Sequence, residues 1–146
     1  MRDSLCVYEL PYGEMFKTQH STRECWEVAQ FGLILLSEVG STMHGVSNDD
    51  TGDDIDLMGI CIEPPAEALG LGDFEQYEYR DRKVNERSRE GDTDLVAYGL
   101  RKWVKLAATG NPTVIMPLFS DVGLHVKWAN GFGLLLREEF PQFLSQ

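Results

Sequence analysis

Two aspartates, two residues apart, open the run Asp54-Ile55-Asp56-Leu57-Met58-Gly59-Ile60-Cys61-Ile62-Glu63, and Pro64-Pro65 closes it. The apolar residues of this run predict a strand over 54–63, and proline cannot continue a central ladder. Alternation sets Asp54, Asp56 and Met58 on one face, with Ile55, Leu57 and Cys61 on the other. A chain that folds this run must hold two carboxylates side by side on one sheet face. Like charges so close repel, so the pair implies a bound cation or a raised carboxyl pKa. Hard oxygen ligands of this kind suit Mg²⁺, which keeps waters and shares its shell with substrate phosphates.

The neighbourhood is acidic as well. Asp49, Asp50 and Asp53 precede the strand, and 16 of the 24 acids lie in residues 1–79 with only three of the 13 bases. A solvated acidic loop accounts for Asp49, Asp50 and Asp53. It accounts poorly for Asp54 and Asp56, whose flanks belong to a strand. A calcium loop starting at Asp54 has Gly59 in the right place but Pro65 where the closing glutamate belongs. The net charge of −11 excludes a basic nucleic-acid coat protein and a polybasic membrane binder. The apolar fraction of 42% argues against general disorder, and 146 residues fit one domain, taken as 1–146.

The remaining pattern mixes strands and helices without strict alternation, which predicts an α+β fold. Thr22 to Gln30 reads as a helix capped by Ser21 or Thr22, and Leu33 to Val39 as a buried strand ending at Gly40-Ser41. Phe74 to Tyr79 and Asp94 to Tyr98 read as a strand and its return, joined by a charged loop from Arg80 to Gly91. Tyr98 to Thr109 is a helix with Leu100, Trp103, Val104 and Ala107 on one face, stopped by Gly110. Asn111-Pro112 starts a short helix. Val122 to Lys127 is expected as a strand, Asn130 to Glu139 as a helix, and Phe140 to Leu144 as an apolar tail.

Cys6, Cys25 and Cys61 are odd in number and form no CxxC pair, which predicts reduced, packed thiols rather than a disulfide framework. No apolar run approaches the length that spans a bilayer, and the first residues lack signal-peptide character. A soluble, cytoplasmic protein is expected. Trp26, Trp103 and Trp128 are expected in the core, and His20 and His125 carry no assigned role. Arg80, Arg82, Lys83, Arg87 and Arg89 are balanced by Asp81, Glu86 and Glu90, so a solvated hairpin tip is favoured over a phosphate-binding loop.

The stretch Val39-Gly40-Ser41, twelve residues, then Asp54-Ile55-Asp56-Leu57 resembles the signature of the DNA polymerase beta-like nucleotidyltransferase superfamily. With Gly40-Ser41-Thr42-Met43-His44-Gly45, the segment Asp94 to Trp103, and Gly110-Asn111-Pro112-Thr113, it is similar to the branch of nucleotidyltransferases assigned to an RNA repair pathway in bacteria and their phages. The likeness runs from Phe31 to Phe119. Two positions depart from the pattern: Asp53 stands where a serine is usual, and Met116 where a glutamate often follows the Asn-Pro segment.

The resemblance implies a nucleotidyltransferase fold, a mixed sheet flanked by helices, with the C-terminal helical part of this chain expected to be short or truncated beside its relatives. It implies that Asp54, Asp56 and Asp94 hold two Mg²⁺ (or Mn²⁺) ions, with a nucleoside triphosphate such as ATP as substrate. Gly40 and Ser41 would contact the nucleotide, and by position so would His44, in the loop after the Gly-Ser turn, and Lys102, on the helix that follows Asp94. Transfer would be to a hydroxyl of an RNA end, a protein or a small molecule, without an extended grip on duplex DNA. Two alternatives stay open: a catalytically silent nucleotide-binding or regulatory module, and an antitoxin-type enzyme that modifies a toxin.

Overall fold

The computed structural model describes residues 8–12, 21–40, 54–81 and 91–144. The elements run α1 (Arg23–Gly32), β1 (Leu33–Val39), β2 (Ile55–Cys61), α2 (Pro65–Ala68), β3 (Gln76–Arg80) and β4 (Thr93–Gly99). They continue with α3 (Leu100–Ala108), α4 (Pro112–Phe119), β5 (Val126–Ala129), α5 (Gly131–Glu139) and α6 (Pro141–Leu144). The fold is α+β, as the pattern predicts.

Five strands form one mixed sheet in the order β3-β4-β2-β1-β5. β2 and β4 pair in parallel, and the other neighbours are antiparallel. Both faces are covered, which explains why β1 and β2 are nearly continuous apolar runs rather than clean alternations. On one face Leu33, Leu36, Leu57, Cys61, Tyr77, Leu95 and Ala97 pack under α1, with Leu10 and Phe74. On the other, Ile34, Leu35 and Ile60 pack under α3 and α4 through Trp103, Ala107, Val114 and Leu118.

Local chemistry sets the element ends. Thr22 caps α1, its hydroxyl accepting from the Cys25 amide at 3.2 Å. Asn111 caps α4 by accepting from the Thr113 and Val114 amides. Glu63, buried beyond the end of β2, accepts from the Arg101 amide at 3.1 Å and serves the open N-terminus of α3. Trp103 is fully buried, and its indole N–H donates to the Val114 carbonyl at 2.9 Å. Cys61 is buried, and burial followed by the Glu63 charge pushes its thiol far above the usual range, so it is an inert packing group. Cys25 is likewise a free thiol. No helix among the described residues is long and apolar enough to cross a membrane.

Three expectations are corrected. The fifth strand begins at Val126, not Val122, because the Asp121 carbonyl accepts from the Leu124, His125 and Val126 amides and its side chain from Gly123. That turn consumes the donors a strand would need. Arg80 is the last residue of β3 rather than part of a loop, paired with Asp94. The C-terminal apolar tail forms a short helix, α6, preceded by Phe140, whose ring lies tilted against Trp103 with centroids 4.9 Å apart.

α5 approaches β1 so closely that a side chain is excluded at one point. Asn130 donates its amide to the Ile34 carbonyl and its side chain to Leu33, and accepts from Gly133. A Cβ on Gly133 would collide with the Ile34 carbonyl oxygen, whereas one on Gly131 would meet open space. Gly133→Ala should therefore lower unfolding free energy by about 1–3 kcal/mol, and Gly131→Ala should leave it unchanged or slightly raised. Urea denaturation of the two variants checks the contrast.

Candidate active site

The sheet assembles the site as one transverse row. Val39 is the register partner of Asp56, Asp56 of Asp94, and Asp94 of Arg80. Directly paired residues point to the same face, and strands lie about 4.8 Å apart. Two carboxylates thus stand as neighbours at the N-terminal ends of two parallel strands, with a guanidinium beyond them. Arg80 Nε is 3.9 Å from Asp94 Oδ2.

Gly40 follows Val39 and completes the row. Its φ is +102, and a Cβ built there would lie 2.7 Å from Asp56 Oδ2. Glycine is required twice over, by the backbone angle and by the approach of the carboxylate. The end of β1 is braced from β5: Lys127 Nζ is 2.6 Å from Glu38 Oε1, and His125 Nδ1 is 3.5 Å from Glu38 Oε2.

Asp81 ties the other end of the row. Its amide donates to the Thr93 carbonyl, and its carboxylate accepts from the Thr93 amide at 3.1 Å and from the Tyr79 hydroxyl. That hydrogen bond, then burial and the Asp81 charge, push the Tyr79 hydroxyl up to about 12. A raised tyrosine pKa means that the contact stabilises the fold below the ordinary phenol value. The contribution is lost as pH rises through the folded value.

The sequence-predicted residues divide. Gly40, Asp56 and Asp94 are brought together. Asp54 sits one residue before β2, half-buried, and does not close a three-ligand cluster. Among the described residues no three His, Cys, Asp or Glu side chains converge as a metal site. Ser41 and His44 lie outside the described residues. Lys102 is not brought to the row. It stands in the first turn of α3, past the far end of β4, about 17 Å of strand beyond Asp94. There its Nζ pairs with Glu75 Oε2 at 2.7 Å.

Arg80, which the sequence reading sets within a solvated hairpin tip, stands instead in the row. Its signal was present, since it ends a strand-like run just before the charged loop. A cavity of about 690 Å³ lies elsewhere, lined by Glu24, Glu67, Asp73, Glu75 and Arg101 among others. Four carboxylates against one guanidinium make it hostile to phosphate. A second cavity of about 500 Å³ lies on the α1 face, beside Ile55, Leu57 and Tyr79, and neither Asp56 nor Asp94 lines it.

The donor set nonetheless fits Mg²⁺. That ion is commonly held by one or two carboxylates, with waters and substrate phosphates completing its shell. Asp56 and Asp94 supply two such oxygen donors in adjacent strands, and Asp56 Oδ2 occupies the space that a side chain at Gly40 would take.

Two tests follow from this geometry. Gly40→Ala should cost roughly 1–2 kcal/mol from the backbone angle alone, plus a collision cost. In an Asp56→Ala background the collision part should vanish, a coupling that a double-mutant cycle by urea denaturation reads directly. Ultraviolet titration of the tyrosines should show a group ionising near pH 12 that Tyr79→Phe removes.

No curated protein and no solved structure matches the chain. A family model does, over residues 16–142, which includes every element from α1 to α5 and the whole carboxylate row. The chain belongs to the RNA repair pathway DNA polymerase beta family.

Proposed function

We propose that the chain, as one domain, transfers a nucleoside monophosphate from a nucleoside triphosphate to a hydroxyl acceptor, in a reaction dependent on Mg²⁺. The observation that carries this reading is the in-register pair Asp56 and Asp94 beside Gly40. When bound, Mg²⁺ would neutralise phosphate charge and favour an ionised acceptor oxygen. Asp56 and Asp94 would hold it, with Asp54 as a third carboxylate reached through a rearrangement at the start of β2. The Gly40 backbone, with Ser41 and His44 after it, would lie against the phosphates, where the absence of a side chain permits close approach.

In the reaction the acceptor oxygen bonds to the α-phosphorus and the bond to the bridging oxygen breaks. Pyrophosphate leaves, and the acceptor proton passes to solvent. Family membership in an RNA repair pathway makes an RNA-end hydroxyl the first acceptor to try. The stance of Asp54 outside a three-carboxylate cluster favours a second reading, a module that binds nucleotide without turnover.

Labelled triphosphates with an RNA acceptor and Mg²⁺ separate the readings. The wild type should release pyrophosphate and label the acceptor. Asp56→Asn and Asp94→Asn, which keep shape and lose charge, should each reduce transfer on the order of 10²-fold or more. Tight triphosphate binding without pyrophosphate release would support the silent module instead.

A further inference from the structure

Arg80 ends β3, and its side chain is 44% exposed, against 26% for its register partner Asp94. Among the described residues Asp94 is the acid its guanidinium meets. The 3.9 Å separation is too long for a hydrogen bond. The guanidinium is therefore held by charge rather than by a bidentate fork, and its N–H donors are not committed to Asp94. It is a permanent cation, because arginine keeps its proton at any working pH. Its stem rises from the same sheet face as Asp56 and Asp94, in the same row.

A divalent cation at Asp94 would take over the charge that Arg80 now balances, and like charge would push the guanidinium away. The planar fork would then face whatever anion the cation carries, and phosphate oxygens match that fork. We infer that Arg80 is a phosphate-binding residue of this site, kept against Asp94 until a divalent cation occupies the carboxylates and then turned onto the nucleotide's phosphate. The inference rests on the proposed nucleotidyltransferase reading. It assigns to one arginine two opposite effects, competition with free metal and attraction of metal-bound nucleotide.

The test uses the full chain and two binding measurements, Mn²⁺ alone by electron paramagnetic resonance and Mg²⁺-triphosphate by calorimetry. Arg80→Gln should bind Mn²⁺ a few-fold more tightly than the wild type, since a competing charge is gone. It should bind Mg²⁺-triphosphate about tenfold more weakly, the loss of a charge-assisted contact. Arg80→Lys, which keeps the charge, should recover most of the triphosphate affinity.

If Arg80→Gln matches the wild type in both measurements, Arg80 is a solvated surface pair and the inference is overturned while the site reading stands. Weaker Mn²⁺ binding in Arg80→Gln would also overturn it, because Arg80 would then be a mere support for Asp94. A wild type that binds neither Mn²⁺ nor triphosphate removes both the inference and the reading beneath it.

Discussion

The site depends on one pairing. β2 and β4 run parallel and in register from Ile55 opposite Thr93 to Cys61 opposite Gly99. This register sets Asp56 beside Asp94. Side chains alternate along a strand, so a slip of one residue would send one of the two carboxylates to the face under α1. Neighbouring strands lie about 4.8 Å apart, so the two carboxylates repel each other, and their partial exposure to solvent screens that repulsion. The fold offsets this cost by burying apolar residues of the same two strands on both faces of the sheet. Leu57, Ile60, Cys61, Leu95 and Ala97 must all stay buried.

The flanking strands make the row usable. β1 brings Gly40 against Asp56, where any side chain would displace the carboxylate. β3 brings Arg80 to Asp94, and Asp81 fixes the corner by engaging Thr93 and Tyr79. β5 braces β1 through Lys127 and Glu38. The helices pack farther along the sheet, with Trp103, Ala107 and Val114 over Ile34, Leu35 and Ile60.

Much of this was legible in the chain. The two aspartates on a run closed by Pro64-Pro65 located β2, the Thr22 and Asn111 caps located α1 and α4, and the Gly-Ser turn located the end of β1. Asp94 was found only through family resemblance, since an isolated aspartate at a strand start carries no distinctive pattern. Strand order was not legible, because alternation gives faces and not neighbours; hence Arg80 looked like loop. β5 was misjudged at its start because Asp121 satisfies the next amides with its own carbonyl. The nearness of Lys102 to Asp94 in sequence suggests a nucleotide contact that the structure does not bring about. Most of a seven-residue strand separates them, and strand rise converts that into distance.

Family membership settles the superfamily to which this sheet belongs, and the carboxylate pair is the reaction site proposed for it. Crystals of the protein soaked with Mn²⁺ and a non-hydrolysable triphosphate test that most directly. Anomalous density bridging Asp56 and Asp94, with phosphate oxygens completing the metal shell, is the predicted result. Metal and nucleotide bound together in the cavity lined by Glu24, Glu67, Asp73 and Glu75, with the carboxylate row empty, would contradict it.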